Sequence, residues 1–519
     1  MDEGFALSRR QLLDTARTLA VGGAAGLLIP EALAAAPRPA RPRVGGRIRV
    51  AYMSISTADT LDPARAGMST DYARHFLLYS RLFDLSPAMQ PVPALAESFA
   101  TEDLKRWRLT LRKSVVFHDG KSVTPADVVY SLLRHKEPAT GSKLAAVAEQ
   151  FASVRADGPN AVVIDLVGPN ADLPIILAQT HFSILPAGRG RVTGVGCGPF
   201  KLKTFSPGVR TVVTRNPNFW RPGKPYLEEI EMIGVPDEVS RINALLSGDV
   251  QMAMGVNPRS ARRVLESPGH VMHAAPSGMY TNLAMRQDRF PAANPHFGLG
   301  IKYLMDRPLI KRALFRNYAT IGNDHPIPPF HPFYRADLPQ TGLDLDRAKW
   351  HLQKSGVGIT RVPMFASAAA EASVDMASIL QEYAAKVGLN LAVNRVPADG
   401  YWSTHWMRHP LFFGNNNPRP TADLLFSLFY KSDAAWNESG WKNARFDSLL
   451  VEARGERNFA RRKQLYGEMQ GLARAYCSVS IPVFISLLDG WDRRLKGWFS
   501  HPLGNFMGHT FGEHMWWEG

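Results

Sequence analysis

The sequence predicts an α/β protein built as two or three lobes. Three observations lead there. Segments that alternate polar and apolar residues, 46–52 and 107–112 among them, have the period of half-buried strands. Segments with apolar residues at helical spacing, the longest over 458–476, are interleaved with them along the whole chain. The chain has 519 residues, more than one hydrophobic core ordinarily serves.

Taken in order, the first strand over 46–52 is followed by the loop Leu61-Asp62-Pro63 and an apolar helical pattern over 72–82. The strand at 107–112 leads to a turn with Asp119-Gly120 at its centre. Thr124 and Pro125 have the chemistry of an N-cap and a first helical residue, so a helix is expected through Leu133. Further strands are expected over 161–167, 209–215 and 227–235, then a helix over 237–246 that ends at Ser247-Gly248. The last third carries helical patterns over 301–315, 346–354, 374–387, 445–454 and 458–476, with strands over 389–396 and 481–488. No short-period repeat or low-complexity tract interrupts the series.

The first 36 residues have the organisation of an export leader. Arg9 and Arg10 precede an uncharged run over 18–29, and Ala32-Leu33-Ala34 supplies the small residues of a cleavage site. The run is about 12 residues, short of the roughly 20 that span a bilayer as a helix. The pattern Ser8-Arg9-Arg10-Gln11-Leu12-Leu13 resembles a twin-arginine signal. No cysteine lies near the cleavage site, so a lipid anchor is not expected, and the mature chain is placed free in a periplasm. Two cysteines, Cys197 and Cys477, are expected as buried free thiols, with a disulfide between them as the alternative that an export compartment permits. Apolar content of 45% and charged content of 21% are ordinary globular values. The net charge of +15 is spread without the aromatic interleaving of a nucleic-acid surface, so no nucleic-acid partner is expected.

Nine segments in order make the chain recognisable. They are Leu61-Asp62-Pro63-Ala64, Pro93-Ala94-Leu95-Ala96-Glu97-Ser98, the strand around Trp107, Leu111 to Lys121, and Asp127-Val128-Val129-Tyr130-Ser131. Gly198-Pro199-Phe200, Arg215 to Trp220, Asp346-Arg347-Ala348-Lys349 and Trp441 to Asp447 complete the set. In this order the chain resembles the family 5 solute-binding proteins, which serve peptide, opine and nickel uptake. The resemblance implies a two-lobed periplasmic binding protein fold of type II with an extra inserted region. Lobe I would comprise 45–83, 196–280 and 487–519, region II 84–195, and lobe III 281–486. A small ligand would be captured in the cleft between lobes that close by a hinge, and handed to an ABC permease pair by a monomeric, non-enzymatic, cofactor-free protein.

In dipeptide-binding relatives an Asp of the opposing lobe pairs with the ligand's amino group; aligned on Pro420, that position is Asn416. The carboxylate-pairing Arg would fall within 365–370, where only small and apolar residues stand. The segment offers instead Asn415, Asn416 and Asn417 as donors and acceptors, and Arg419 as a clamp for carboxylate or phosphate. Trp402 and Trp436 are the expected aromatic members of the pocket. Ser69, Thr70 and Tyr72 after the first strand, with Tyr280 and Asn282 at the crossover, complete the candidate set. A tight Asn/Pro turn and ordinary core packing are the competing readings of these residues.

Enzymatic and metal motifs are incomplete. His405 and His409 have the spacing of a zinc-protease pair without its Glu, and Gly120-Lys121-Ser122 lacks the first glycine of a phosphate loop. No nucleophile elbow is found. The remaining alternatives are a metal-dependent hydrolase, and a nickel or metal-chelate binder using His325 and His331.

Overall fold

The structure, a computed structural model, describes residues 42–518. The leader and its cleavage site lie outside the described residues.

Sixteen strands carry the architecture. They are β1 (Arg47–Tyr52), β2 (Ala96–Thr101), β3 (Arg106–Leu111), β4 (Phe151–Ala156), β5 (Ala161–Leu166), β6 (Phe200–Ser206), β7 (Arg210–Arg215) and β8 (Glu229–Gly234). β9 (Met252–Met254), β10 (His270–Met285), β11 (Ala319–Ile321), β12 (Val362–Ala366), β13 (Leu391–Arg395), β14 (Leu411–Asn416), β15 (Val479–Ser480) and β16 (Val483–Asp492) follow. Twelve of them form one sheet with the order β13-β12-β14-β10-β16-β9-β1-β8-β7-β6, with β11 added to β16 and β15 to β10. The other four make a separate antiparallel sheet, β2-β3-β5-β4.

Two long strands join the halves of the large sheet. β10 pairs antiparallel with β16 from His270–Asp492 to Ala275–Leu487. After a break in register it meets Ile485 through Met279, and its last six residues pair with β14. Ser277 donates its hydroxyl to the Ile485 carbonyl at 2.7 Å, satisfying a backbone acceptor at that break.

Helices pack on this frame where the sequence places start signals. α1 (Ser69–Leu78) begins behind Met68, and Asp71 accepts from the Gly67 and Met68 amides. α2 (Pro125–Leu133) has the expected cap: the Thr124 amide and hydroxyl both donate to Asp127. The expected single helix over 301–315 is two, α3 (Pro295–Tyr303) and α4 (Arg307–Phe315). Asp306 caps the second by accepting from the Leu309 amide, and Pro308 at its start has no amide to continue the first. α5 (Ala422–Phe429), α6 (Ala444–Arg454) and α7 (Phe459–Tyr476) cover one face of β14 and β10.

The cores divide accordingly. One, including Leu283, Phe297, Leu380 and Phe413, lies under β10 to β14; a second, including Tyr280, Phe426 and Tyr466, covers the opposite face. A third surrounds Val50, Ile230 and Trp491, and a fourth fills the small sheet around Leu109, Ile164 and Phe182. The turn between α6 and α7 docks on the small sheet. The Ala171 amide donates to the Arg454 carbonyl at 2.9 Å, Arg462 pairs with Asp172 at 2.6 Å, and Arg457 donates to the Thr101 and Glu102 carbonyls. Cys197 and Cys477 are buried free thiols in different cores.

Arg307 is fully buried, with both Nη2 contacts to Asp324 at 2.7 Å, and Asp324 also accepts from Ser480 and the Ile481 amide. Removing the cation leaves a buried carboxylate without its partner. Arg307→Met is therefore expected to cost about 3–5 kcal/mol in urea unfolding; a loss below about 1 kcal/mol would contradict this account of the pair. Next to it, His325 is buried with neither ring nitrogen hydrogen-bonded, and burial holds its pKa down to about 4. A folded-state pKa below the unfolded value near 6.5 gives stability that is present above pH 6.5 and lost as pH falls toward 4. His325→Phe should flatten the fall of stability between those limits by up to about one proton's worth, roughly 1.4 kcal/mol per pH unit, in urea melts at stepped pH. An unchanged slope would show that His325 is already charged in the fold.

Candidate functional site

The sequence offers 412–420 as a pocket segment, with a tight Asn/Pro turn as the competing reading; β14 is a strand up to Asn416, and only 417–420 turn away. Its residues alternate between faces. Tyr280 stands opposite Asn416 and Asn282 opposite Gly414 in the antiparallel register, which puts these four on one face. Asn415 points the other way, where its Nδ2 donates to Thr281 Oγ1 at 3.0 Å. Asn416 Nδ2 donates to Asn282 Oδ1 at 3.0 Å, and Asn282 Nδ2 donates to Glu438 Oε2 at 2.6 Å. Trp406 Nε1 donates to Glu438 Oε1 at 2.7 Å. Burial pushes the Glu438 carboxyl above its ordinary range, against the two donors that favour the ionised form. Gly414 is required here, because a Cβ would collide with Glu438 and Asn282.

Arg419 follows three residues after Asn416. Among the described residues it has no carboxylate partner; its one hydrogen bond is to the Pro418 carbonyl at 3.4 Å. The groups that act on its charge are the phenols of Tyr72 and Tyr280, and desolvation lowers its pKa. Tyr72 belongs to α1, on the far half of the large sheet, so the guanidinium stands between the two halves. Tyr72 is flanked by the rings of His181 at 5.6 Å and His509 at 5.9 Å. Both imidazoles are held near pKa 4 by burial, and the Nδ1 atoms of both are buried without a hydrogen-bond partner.

The other sequence candidates fall into two groups. Thr70 is buried with its hydroxyl donated to Asp59, inside the Arg74–Asp59–Asp71 cluster; it builds the fold and does not face open space. The Ser69 hydroxyl is taken up by Ser54 at 3.0 Å. Trp402 and Trp436, 43% and 41% exposed, stand on either side of Trp406 with ring centroids at 6.1 and 6.3 Å, and Asn417 is exposed. The structure thus brings Asn416, Asn282, Tyr280, Tyr72 and Arg419 into one neighbourhood, with the tryptophans beside it. Reasoning from sequence missed Glu438, His181 and His509. Glu438 had a local signal, an acid between Trp436 and Trp441; the two histidines had none.

The 365–370 stretch carries no cation: Phe365 stacks on His409, and Ala366 and Ala370 are buried. His325 and His331 pack against Tyr334 and Phe333. A cavity of about 470 Å³ lies away from Arg419, between the 59–65 loop and 130–140; two of the arginines on it, Arg65 and Arg134, are already bound to Thr140 and Asp62.

Residues 90–437 match the family described as bacterial extracellular solute-binding proteins, family 5 Middle. The glutathione-binding protein GsiB of Escherichia coli is 25% identical over 473 residues, spanning 87% of this chain and 92% of that protein. Among solved structures, the periplasmic binding protein DppA of Helicobacter pylori in complex with the peptide STSA superposes with a TM-score of 0.77. It is 20% identical, covering 92% of this chain and 99% of the other. AgaA, solved in complex with agropinic acid, gives a TM-score of 0.76 at 21% identity, covering 91% and 99%. These likenesses identify the fold as the two-lobed periplasmic binding protein architecture. With the ordered motifs and the match over most of its length, the chain belongs to family 5 of the bacterial extracellular solute-binding proteins, the substrate-binding components of ABC transporters.

Proposed function

We propose that this protein captures a small peptide-like or amino-acid-derived ligand bearing an anionic group, in the cleft between its lobes, and delivers it to an ABC permease pair. Arg419 carries the reading. A guanidinium withdrawn from water without a carboxylate is costly, and a ligand carboxylate would supply two short charge-assisted bonds. The phenols of Tyr72 and Tyr280 are the groups that act on the Arg419 charge. Glutathione, peptides and opine acids, the ligands named for relatives, all carry free carboxylates.

The proposed lobes are those of the ordered motifs: 45–83 with 196–280 and 487–519, the inserted 84–195, and 281–486. β10 and β16 would be the hinge strands. The docking of the α6–α7 turn on the small sheet supports a closed arrangement, with Asp172 and Arg462 meeting across it. The protein would act as a monomer in the periplasm, exported by the twin-arginine-like leader over 1–36, and it would release its ligand chemically unchanged.

A thermal-shift panel of glutathione, short peptides, opines and histidine–nickel chelates tests the class. An acidic peptide or opine at 100 times its Kd should raise stability by about 2.7 kcal/mol. Stabilisation only by cations or uncharged sugars would sink the proposal. Arg419→Gln should weaken any such acid by roughly ten- to a hundredfold in calorimetric titration, as expected for loss of a charge-assisted pair. An unchanged Kd would remove Arg419 from the site.

A further inference from the structure

The side chains behind Asn416 form a directional relay. An indole N–H can only donate, so Trp406 Nε1 gives its hydrogen to Glu438 Oε1 at 2.7 Å. The other carboxylate oxygen, Oε2, accepts from Asn282 Nδ2 at 2.6 Å. Asn282 is left with its Oδ1 facing Asn416, so Asn416 must turn its own Nδ2 inward, at 3.0 Å. The remaining atom, Asn416 Oδ1, has no partner among the described residues and is not sealed from solvent. An amide has nearly the same shape either way round, so packing alone does not choose between its ends. Glu438 chooses, two residues away and itself buried.

We propose that Glu438 is a positioning residue for ligand selection: through Asn282 it fixes Asn416 with its carbonyl oxygen toward the cleft, so that the site takes a ligand presenting an N–H donor beside the anionic group at Arg419. The proposal rests on the cleft reading above and extends it from the anion to the second polar group of the ligand. Where a carboxylate would demand a full positive charge, the Asn416 oxygen accepts from an ammonium or an amide. A ligand that offers only an acceptor there would leave two oxygens facing each other, each stripped of water. Gly414 is part of the device, since any side chain would displace Glu438 from beneath the strand.

Glu438→Gln tests it with little change of shape. Trp406 can donate only to the Gln oxygen, so the Gln nitrogen must face Asn282 and every amide in the relay turns over. Asn416 then presents Nδ2. The first measurement needs no ligand. In protein labelled with 15N-asparagine, at about pH 8, the side-chain amide signals of Asn416 should move in Glu438→Gln although the two residues do not touch. Unmoved Asn416 signals overturn the relay. The second measurement uses glutathione and its deamino analogue, glutaryl-cysteinyl-glycine. Wild type should prefer glutathione by about tenfold or more, and Glu438→Gln should erase or invert that preference. A preference retained in the variant overturns the selection role, as does a wild type that binds both equally. Binding of neither compound counts against the cleft reading for glutathione, and the relay is then decided by the amide signals. Asn282→Ala, which cuts the relay without altering Glu438 or Asn416, should lose the preference in the same way and covers the case in which Glu438→Gln does not fold.

Discussion

The antiparallel ladder between β10 and β16 is the constraint on which the rest of the molecule hangs. Each strand runs from one half of the large sheet into the other. β10 pairs with β16 along its first part and with β14 along its second. The same strand therefore fixes the sheet and delivers Tyr280 and Asn282 to the site. Side chains alternate with period two, so a slip of one residue would send both to the opposite core and bring Thr281 and Leu283 in their place. The break in register after Ala275 is held by Ser277, whose hydroxyl reaches the Ile485 carbonyl. Irregularity is thus confined to the place where the strand changes partner.

Charge compensation separates structural arginines from the one at the site. Arg74 lies between Asp59 and Asp71, Arg134 on Asp62, Arg307 on Asp324 and Arg462 on Asp172. Arg241 has no carboxylate in contact but donates to four backbone carbonyls. Arg419 has neither arrangement. A partly buried cation left this way is desolvated without compensation, and proteins keep such costs where binding returns them. Glu438 is the acidic counterpart. It is satisfied by two neutral donors and no cation, so its charge is expressed through the amides that lead to Asn416.

Selectivity in this arrangement is divided between direct and indirect groups. In the proposed site, Arg419 and Tyr72 would meet the ligand, while Asn282, Glu438, Trp406 and Gly414 would decide what Asn416 presents to it. The absence of a side chain at 414 matters as much as the carboxylate that fills the space.

Much of the local structure was legible because its causes are local. The strand at Arg106–Leu111, the capped helix at Pro125–Leu133 and the helix at Phe459–Tyr476 with Asn458 as its cap follow from period, capping chemistry and proline. The same reading merged two helices over 301–315, giving apolar spacing more weight than Asp306 and Pro308. It did not foresee β14 as a strand, because a segment ending in Asn415 and Asn416 has weak local preference and is held by β10 and β12. For the site, the sequence by itself determined which residue types were available: amides where relatives carry an acid, and an arginine three residues on. Only the tertiary structure decided their use. It committed Thr70 to Asp59, turned Asn415 to the opposite face, and joined Asn416 to a glutamate through a residue more than a hundred positions away. Periodicity and capping act between neighbours in the chain, whereas hydrogen-bond polarity and charge compensation are settled between residues that meet only when the sheet has formed.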